Sequence, residues 1–492
     1  MKGKKKIASI LACAMLLSAA PVEAMAYTVP DTVRVGLESV CKNVASASIG
    51  VWELQIGMQK GDGFQRGGVI TSSGLFTARP AVGDYIAVDK TMDCTDALDM
   101  AKDMKKSGLD TYAAYLSGGD WTVYVKDASV SAVEAAADEN ASRVSFEGVA
   151  ITGGEAPVLV PENAVMMGGN VADTFKLNSM PYRGMLTFSV NGSSMTGVNI
   201  IGLEEYLYGV VPSEMPKSYD AEALKAQAVA ARTYAMTKLG AHTGSGYQLC
   251  DTTACQVYKG YSNEADATTA AVDATAGEVA CYNGSPIEAV FSASTGGYTE
   301  SSENVWNTAV PYLRAVSEPG EYGDNSWTKT LTLDELTALL QAKGENIGTA
   351  KDIVITKLST GGRVQALQIV GTSGTKTLTK EAIRTYFSSA CGTLPSKMFT
   401  INGKGGTSTS AKGGLLSAAA RQGIVAKTEG ALSYLNGKKL SVDVDAAQPA
   451  QNTDNEAYTV YNVSISTVAN GKFVFSGSGS GHGVGLSQKG AQ

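Results

Sequence analysis

Glu214 stands between two prolines in the run Val210-Val211-Pro212-Ser213-Glu214-Met215-Pro216. Pro212 is expected to end a helix that begins near Leu203, and Pro216 restricts the residue before it. The spacing therefore predicts a carboxyl group held in a short, stiff turn between two helices. Apolar flanks desolvate such a carboxyl and raise its pKa toward working pH, which suits a proton donor. The same spacing also fits a capping or plain surface glutamate. Only two histidines occur, His242 and His482. A histidine-rich metal centre is thereby excluded, and a Ser–His–Asp hydrolase would have to use one of the two. No G-x-S-x-G elbow accompanies either. A carboxylate is the expected proton handler.

The elements around Glu214 must hold it. Asp220 is a plausible N-cap, and the alanine-rich stretch Ala221 to Leu239, closed by Gly240, predicts a helix. On it Leu224, Ala228, Ala231 and Ala235 form an apolar stripe, with Lys225 and Arg232 on one side and Gln227 and Tyr234 on the other. At most one of these polar pairs needs to face solvent. Strands are expected at Val33 to Leu37, near Gly184 to Val190, and at Val198 to Ile201.

The 492 residues are 44% hydrophobic and 18% charged, with 55 glycines, enough for two or three globular units. Lys2, Lys4, Lys5 and Lys6, the apolar run Ile7 to Leu17, and Ala24-Met25-Ala26 read as a secretory signal over residues 1–26. The run is short for a retained membrane anchor, and no later stretch is long and apolar enough to span a bilayer. An exported chain without a stable membrane span is expected. Without that segment 36 basic and 46 acidic residues remain, a net of −10. An acidic body argues against nucleic acid, whose phosphates need clustered cations, and leaves neutral or lightly charged polysaccharide open. The six remaining cysteines are too scattered for a small disulfide scaffold.

Residues 75–151 read as a small α/β unit. A strand at Tyr85 to Val88 is followed by helical spacing of Ala97, Leu98, Ala101 and Met104, with Gly108 as the stop. Trp121 to Val125 alternates as a strand, and a second helix near Val133 to Asp138 precedes a strand at Arg143 to Ile151. Alternation groups Trp121 with Val123 and Val125, and Thr122 with Tyr124. This order resembles a SPOR domain, a module that binds glycan stripped of its stem peptides; an anonymous ferredoxin-like insert has the same order. If it is SPOR-like, Tyr124 on the more polar face is the expected sugar contact.

Four blocks carry a wider resemblance. Leu203-Glu204-Glu205-Tyr206-Leu207 through Ser213-Glu214-Met215-Pro216 leads into Ala223-Leu224-Lys225-Ala226-Gln227 and Ala230-Ala231-Arg232-Thr233-Tyr234. Gln256-Val257-Tyr258-Lys259-Gly260 follows, and then Ser294-Thr295-Gly296-Gly297-Tyr298-Thr299-Glu300 with Trp306 and Pro311-Tyr312-Leu313. The tail Gly481-His482-Gly483-Val484-Gly485-Leu486-Ser487-Gln488 closes the series. Together they resemble the SpoIID/LytB family, in order, over residues 33–37 and 158–492.

The resemblance implies an α+β fold: a SpoIID-like mixed α/β catalytic domain at 158–395, with N-terminal strands at 27–74, the small SPOR-like, ferredoxin-like α/β insert at 75–151, and a C-terminal part with polar loops at 396–492. It implies a peptidoglycan lytic transglycosylase with Glu214 as the catalytic carboxylate. Gln227, Arg232, Gln256, Tyr258, Ser294, Thr295, His482 and Gln488 are the implied groove wall. No cofactor is required. Relatives with bound zinc imply a structural site from Cys250, Cys255 and His242, with water or Asp251 in fourth place; a Cys250–Cys255 disulfide and two free thiols stay open. The implied partners are peptidoglycan glycan strands and a cell-wall amidase, since LytB-like members have been regarded as amidase enhancers. A glycan-binding enhancer, and a structural wall-adhesion protein, are the rival readings. The implied place is the cell wall, or the engulfing septum if the role is sporulation. Phe291-Ser292 stands where relatives often have His, and relatives usually continue past Gln492 with a closing helix, so the chain is expected to be part of a longer protein.

Overall fold

The computed structural model describes residues 29–169, 174–318, 321, 325–405 and 461–492. The expected signal segment, and most of the polar loops expected after 403, lie outside these residues. No helix among the described residues is long and apolar enough to cross a membrane. Helices and strands are mixed in an α+β arrangement.

Seven strands form the sheet that carries the site. Their order is Leu249–Cys250, Thr32–Gly36, Ser194–Gly202, Met185–Asn191, Val165–Gly168, Glu53–Lys60 and Gly63–Thr71. Strand Ser194–Gly202 runs straight into helix Leu203–Glu214. That helix packs on helices Ala221–Lys238 and Asp266–Ala274. The stripe Leu224, Ala228, Ala231 and Ala235 is buried as its spacing requires. Asp220 flanks the helix but makes no side-chain cap.

The 75–151 segment is folded as strand and helix patterning predicts, but its boundary is not where the sequence put it. Phe76–Val88 pairs with both Asp120–Lys126 and Ala141–Thr152. Asp110–Ser117 joins Asp120–Lys126, and Val158–Pro161 bridges Asp110–Ser117 to Ala141–Thr152, closing a five-stranded ring. The closing strand lies past residue 151. Helix Cys94–Lys106 covers one face, burying Ala97, Ala101 and Met104. Trp121, Val123 and Val125 are fully buried, whereas Tyr124 is half-buried among Tyr85 and Phe146, 6.0 Å from each.

Past the Thr295 block the chain builds a second lobe. Ser326–Thr332, Lys472–Ser478 and Phe399–Ile401 make one sheet, and Ala350–Leu358, Val364–Gly371, Thr375–Thr379 and Tyr461–Ser466 another. Helix Leu333–Ala342 starts in a capping box between Thr332 and Glu335. Leu336, Ile353, Leu367, Phe387, Phe399, Phe473 and Phe475 form this lobe's own core. The division expected near residue 395 is therefore absent: 326–405 and 461–478 share one core because their strands interleave. The tail then returns to the first lobe, where Phe291 and Ser292 pair in parallel with Leu486 and Ser487.

Candidate active site at Glu214

Helix Leu203–Glu214 runs through Pro212 rather than ending there. Proline lacks only the amide that would reach back one turn, a loss tolerable in the last turn. The next residue is anchored by its side chain, since Ser213 Oγ donates to the carbonyl of Gly209 at 2.6 Å and accepts from Asn263 Nδ2 at 2.8 Å. On the other side Met215 is extended before Pro216 and buried against Ala223, Leu224 and Ala271. Glu214 is the last helical residue, locked between two anchored neighbours. It does not sit in a turn between helices, as the sequence suggests.

Its Oε1 accepts the backbone N–H of Val257 at 2.8 Å. Burial raises its pKa above the ordinary carboxylate value, opposed by that N–H, by the Gln488 side chain and by Lys259. Glu214 opens on a groove of about 730 Å³, whose wall includes Tyr234, Phe291, Trp306, His482 and Gln488. Lys238 and Glu288 also line it and are ion-paired with each other.

Two of the eight expected wall residues, His482 and Gln488, line this groove. His482 accepts the Val484 N–H on Nδ1 at 3.0 Å, and its ring also bonds the backbone of Phe291. Trp306 meets it edge-on, 4.9 Å between centroids at 60°. Burial and the nearby Arg363 and Arg384 push its pKa down to about 4. The imidazole is a fixed, neutral part of the wall.

The other six are placed differently. Arg232 is fully buried, and its fork closes on Glu204 at 2.6 and 2.8 Å, with further bonds to the carbonyls of Glu278 and Val272. Gln227 is buried behind Gln488, its Oε1 3.4 Å from the Gln488 amide. Gln256 is spent on Ala231 O and Tyr206 Oη. Tyr258 is buried with its hydroxyl on Asn199 at 2.9 Å. Ser294 and Thr295 are buried; Thr295 bonds Glu318 and Glu321. These side chains hold the frame because each block packs inward, and the Gln256–Tyr258 block reaches Glu214 only through a backbone amide. Tyr234, Phe291, Glu288 and Trp306 were not singled out as wall residues. The signal for Trp306 was its place behind the Ser294–Glu300 block.

A second cluster flanks the sheet edge. One ligand atom each from His242, Cys250 and Cys255 lies within 4.8 Å of the others. Cys255 Sγ is 3.3 Å from His242 Nε2, and the two sulfurs are not joined. His242 Nδ1 faces Glu38 at 4.0 Å, and Glu38 accepts the Tyr247 hydroxyl at 2.6 Å. Two thiols and an imidazole backed by a carboxylate match a zinc donor set. Asp251 is not part of the cluster; its carboxylate accepts from the backbone and hydroxyl of Ser39.

Residues 191–282 match the family model described as stage II sporulation protein, and residues 321–414 match a domain of unknown function, DUF8618. The amidase enhancer of Bacillus subtilis (strain 168) is 50% identical over 130 residues, 26% of this chain and 17% of that protein. Stage II sporulation protein D of the same organism is 39% identical over 163 residues, 30% of this chain and 48% of the relative. An uncharacterized protein of Brachyspira hyodysenteriae is 42% identical over 166 residues, 33% and 45% of the two chains. In each case the match spans less than half of the relative. The segment that carries Glu214, residues 191–282, is thus similar to the SpoIID/LytB family.

Proposed function

We propose that this protein is an exported lytic transglycosylase acting on the glycan strands of peptidoglycan, with Glu214 as its single acid–base group. The observation that supports it most is a carboxyl of raised pKa, anchored on both sides, facing a groove of about 730 Å³. Glu214 would give its proton to the glycosidic oxygen of the MurNAc-β-1,4-GlcNAc bond as the C1–O bond breaks. The 6-hydroxyl oxygen of the same muramic residue then bonds to C1, and its proton returns to Glu214. The products are a free 4-hydroxyl on GlcNAc and a 1,6-anhydro-MurNAc end. No water is consumed, so the second carboxylate of the usual glycosidase pair is not needed. Burial keeps part of the Glu214 population protonated, as the first step requires.

His242, Cys250 and Cys255 would hold zinc as a clamp on the edge strand Leu249–Cys250, beside the groove that Cys255 also lines, and the chemistry needs no cofactor. A second reading, a glycan-binding enhancer of a cell-wall amidase, is favoured by the relative named amidase enhancer. The test is mass analysis of amidase-stripped glycan strands after incubation with the protein. New 1,6-anhydro ends with the wild type and none with Glu214→Gln support the enzyme. No such ends with the wild type, but faster release of stem peptides when an amidase is added, supports the enhancer.

A further inference from the structure

Trp306 is the largest ring on the groove, yet 44% of it faces solvent. It closes the one-turn helix Glu303–Trp306, which is pinned from three directions. Arg314 forks onto Glu303 at 2.6 and 2.9 Å. Ser302 Oγ donates to Thr308 O at 2.8 Å and accepts from Val310 N at 2.9 Å. Lys397 arrives from the second lobe and donates to the carbonyl of Asn304 at 3.1 Å. An exposed ring on so fixed a mount loses little conformational freedom when something lies on it.

The surroundings say what that would be. Lys238 is closed on Glu288, and His482, edge-on to the ring, is kept neutral by burial and the nearby Arg363 and Arg384. Val290, Phe291, Val310 and Leu313 supply apolar wall, while Ser292 Oγ is a buried hydroxyl with no hydrogen-bond partner among the described residues. Little net charge, a flat π face and a polar group in reach suit an amphipathic pyranose ring: its axial C–H face covers the indole and its hydroxyls find donors and acceptors at the rim. A charged peptide or phosphate would meet no free cation among the described residues of this wall.

We propose that Trp306 is a stacking platform for one N-acetylated pyranose ring of the glycan strand, held in place across the lobes by Lys397. This rests on the glycan reading above and adds the residue that receives the sugar. The probe is the β-1,4-linked N-acetylglucosamine tetramer, titrated by calorimetry into full-length Glu214→Gln protein, where turnover does not interfere, and followed in parallel by tryptophan fluorescence. Adding Trp306→Ala should weaken binding at least tenfold, and Trp306→Phe should keep it within about threefold. The Phe variant should also lose the fluorescence change on binding, since the remaining Trp52, Trp121 and Trp327 do not line the groove. Lys397→Met should weaken binding about threefold without moving the melting temperature as far as a core lesion does. Equal affinity with and without the Trp306 side chain, or a persistent fluorescence change in the Phe variant, overturns the platform and leaves the glycan reading standing. If the Glu214→Gln protein binds neither the tetramer nor amidase-stripped strands, the glycan reading itself fails and the platform with it.

Discussion

The backbone N–H of Val257 donates to Glu214 Oε1 at 2.8 Å. This contact ties the Gln256–Gly260 block to the candidate catalytic carboxyl without using either of the block's buried polar side chains. It also holds Glu214 in one orientation, and being a bond to the charged form it limits how far burial raises the pKa.

Activity should therefore have an alkaline limb set by Glu214. The donor form is lost as pH rises through the elevated pKa, so release of 1,6-anhydro ends should fall on that side. Glu214→Gln should be inactive across the whole range while keeping the wild-type melting temperature within a few degrees. A pH–rate profile measured on stripped glycan checks both, and a Gln variant of wild-type activity would sink the assignment.

His482 predicts a pH effect on stability rather than on proton transfer. Its folded pKa is lowered to about 4, so the unfolded chain binds more protons over the window between that value and the ordinary 6.5. The stabilisation is fully present above about 6.5 and is lost as pH falls through 4, at most on the order of 3 kcal/mol. Carboxyl groups titrate there too, so the readout is a difference. The gap in melting temperature between wild type and His482→Gln should narrow from pH 7.5 to pH 4.5. A gap that does not change with pH would refute it.

Zinc should copurify at about one equivalent in chelator-free preparations, and Cys255→Ser should lose it. Binding to the folded form alone raises the melting temperature, so removing the metal should lower it. Burial lifts the Cys255 thiol to about 11, and a bound cation would displace that proton. Metal analysis showing no zinc, or a Cys250–Cys255 disulfide in peptide mapping, would count against the site.

Glu204 and Arg232 make a pair whose two halves differ in burial: the arginine is wholly buried, and the glutamate keeps 30% of its side chain exposed. Glu204→Ala strands a charge without water and should cost about 3 kcal/mol in denaturant unfolding. Arg232→Met leaves a carboxylate that can be hydrated and should cost less. The reverse order would mean that the arginine's bonds to the Val272 and Glu278 carbonyls dominate.

The excised segment 75–151 should not fold cooperatively, because Val158–Pro161 closes its ring of strands. Extending it to residue 162 should restore far-UV signal and a thermal transition. A cooperative transition in the shorter fragment would show that the closing strand is dispensable.

Periodicity alone was enough for the elements. The alanine-rich helix, the strands at Val33 and Val198, and the strand–helix order of 75–151 follow from apolar spacing, which local geometry reads directly. The motif blocks were enough for the family resemblance and to single out Glu214 as the candidate. What each polar residue does was not legible, because a conspicuous polar side chain in a motif can face a ligand or lock a frame. Burial decides between these, and burial is a property of the packed whole. Arg232, Gln256 and Tyr258 turned inward for this reason, while Trp306, His482 and Gln488 came to one groove. The second lobe lies between Thr295 and the tail in the sequence, and pairing of Leu486 and Ser487 beside Phe291 and Ser292 sets the tail's register at that groove. Contacts between segments so far apart leave no periodic trace in the chain, so the tertiary structure alone decides them.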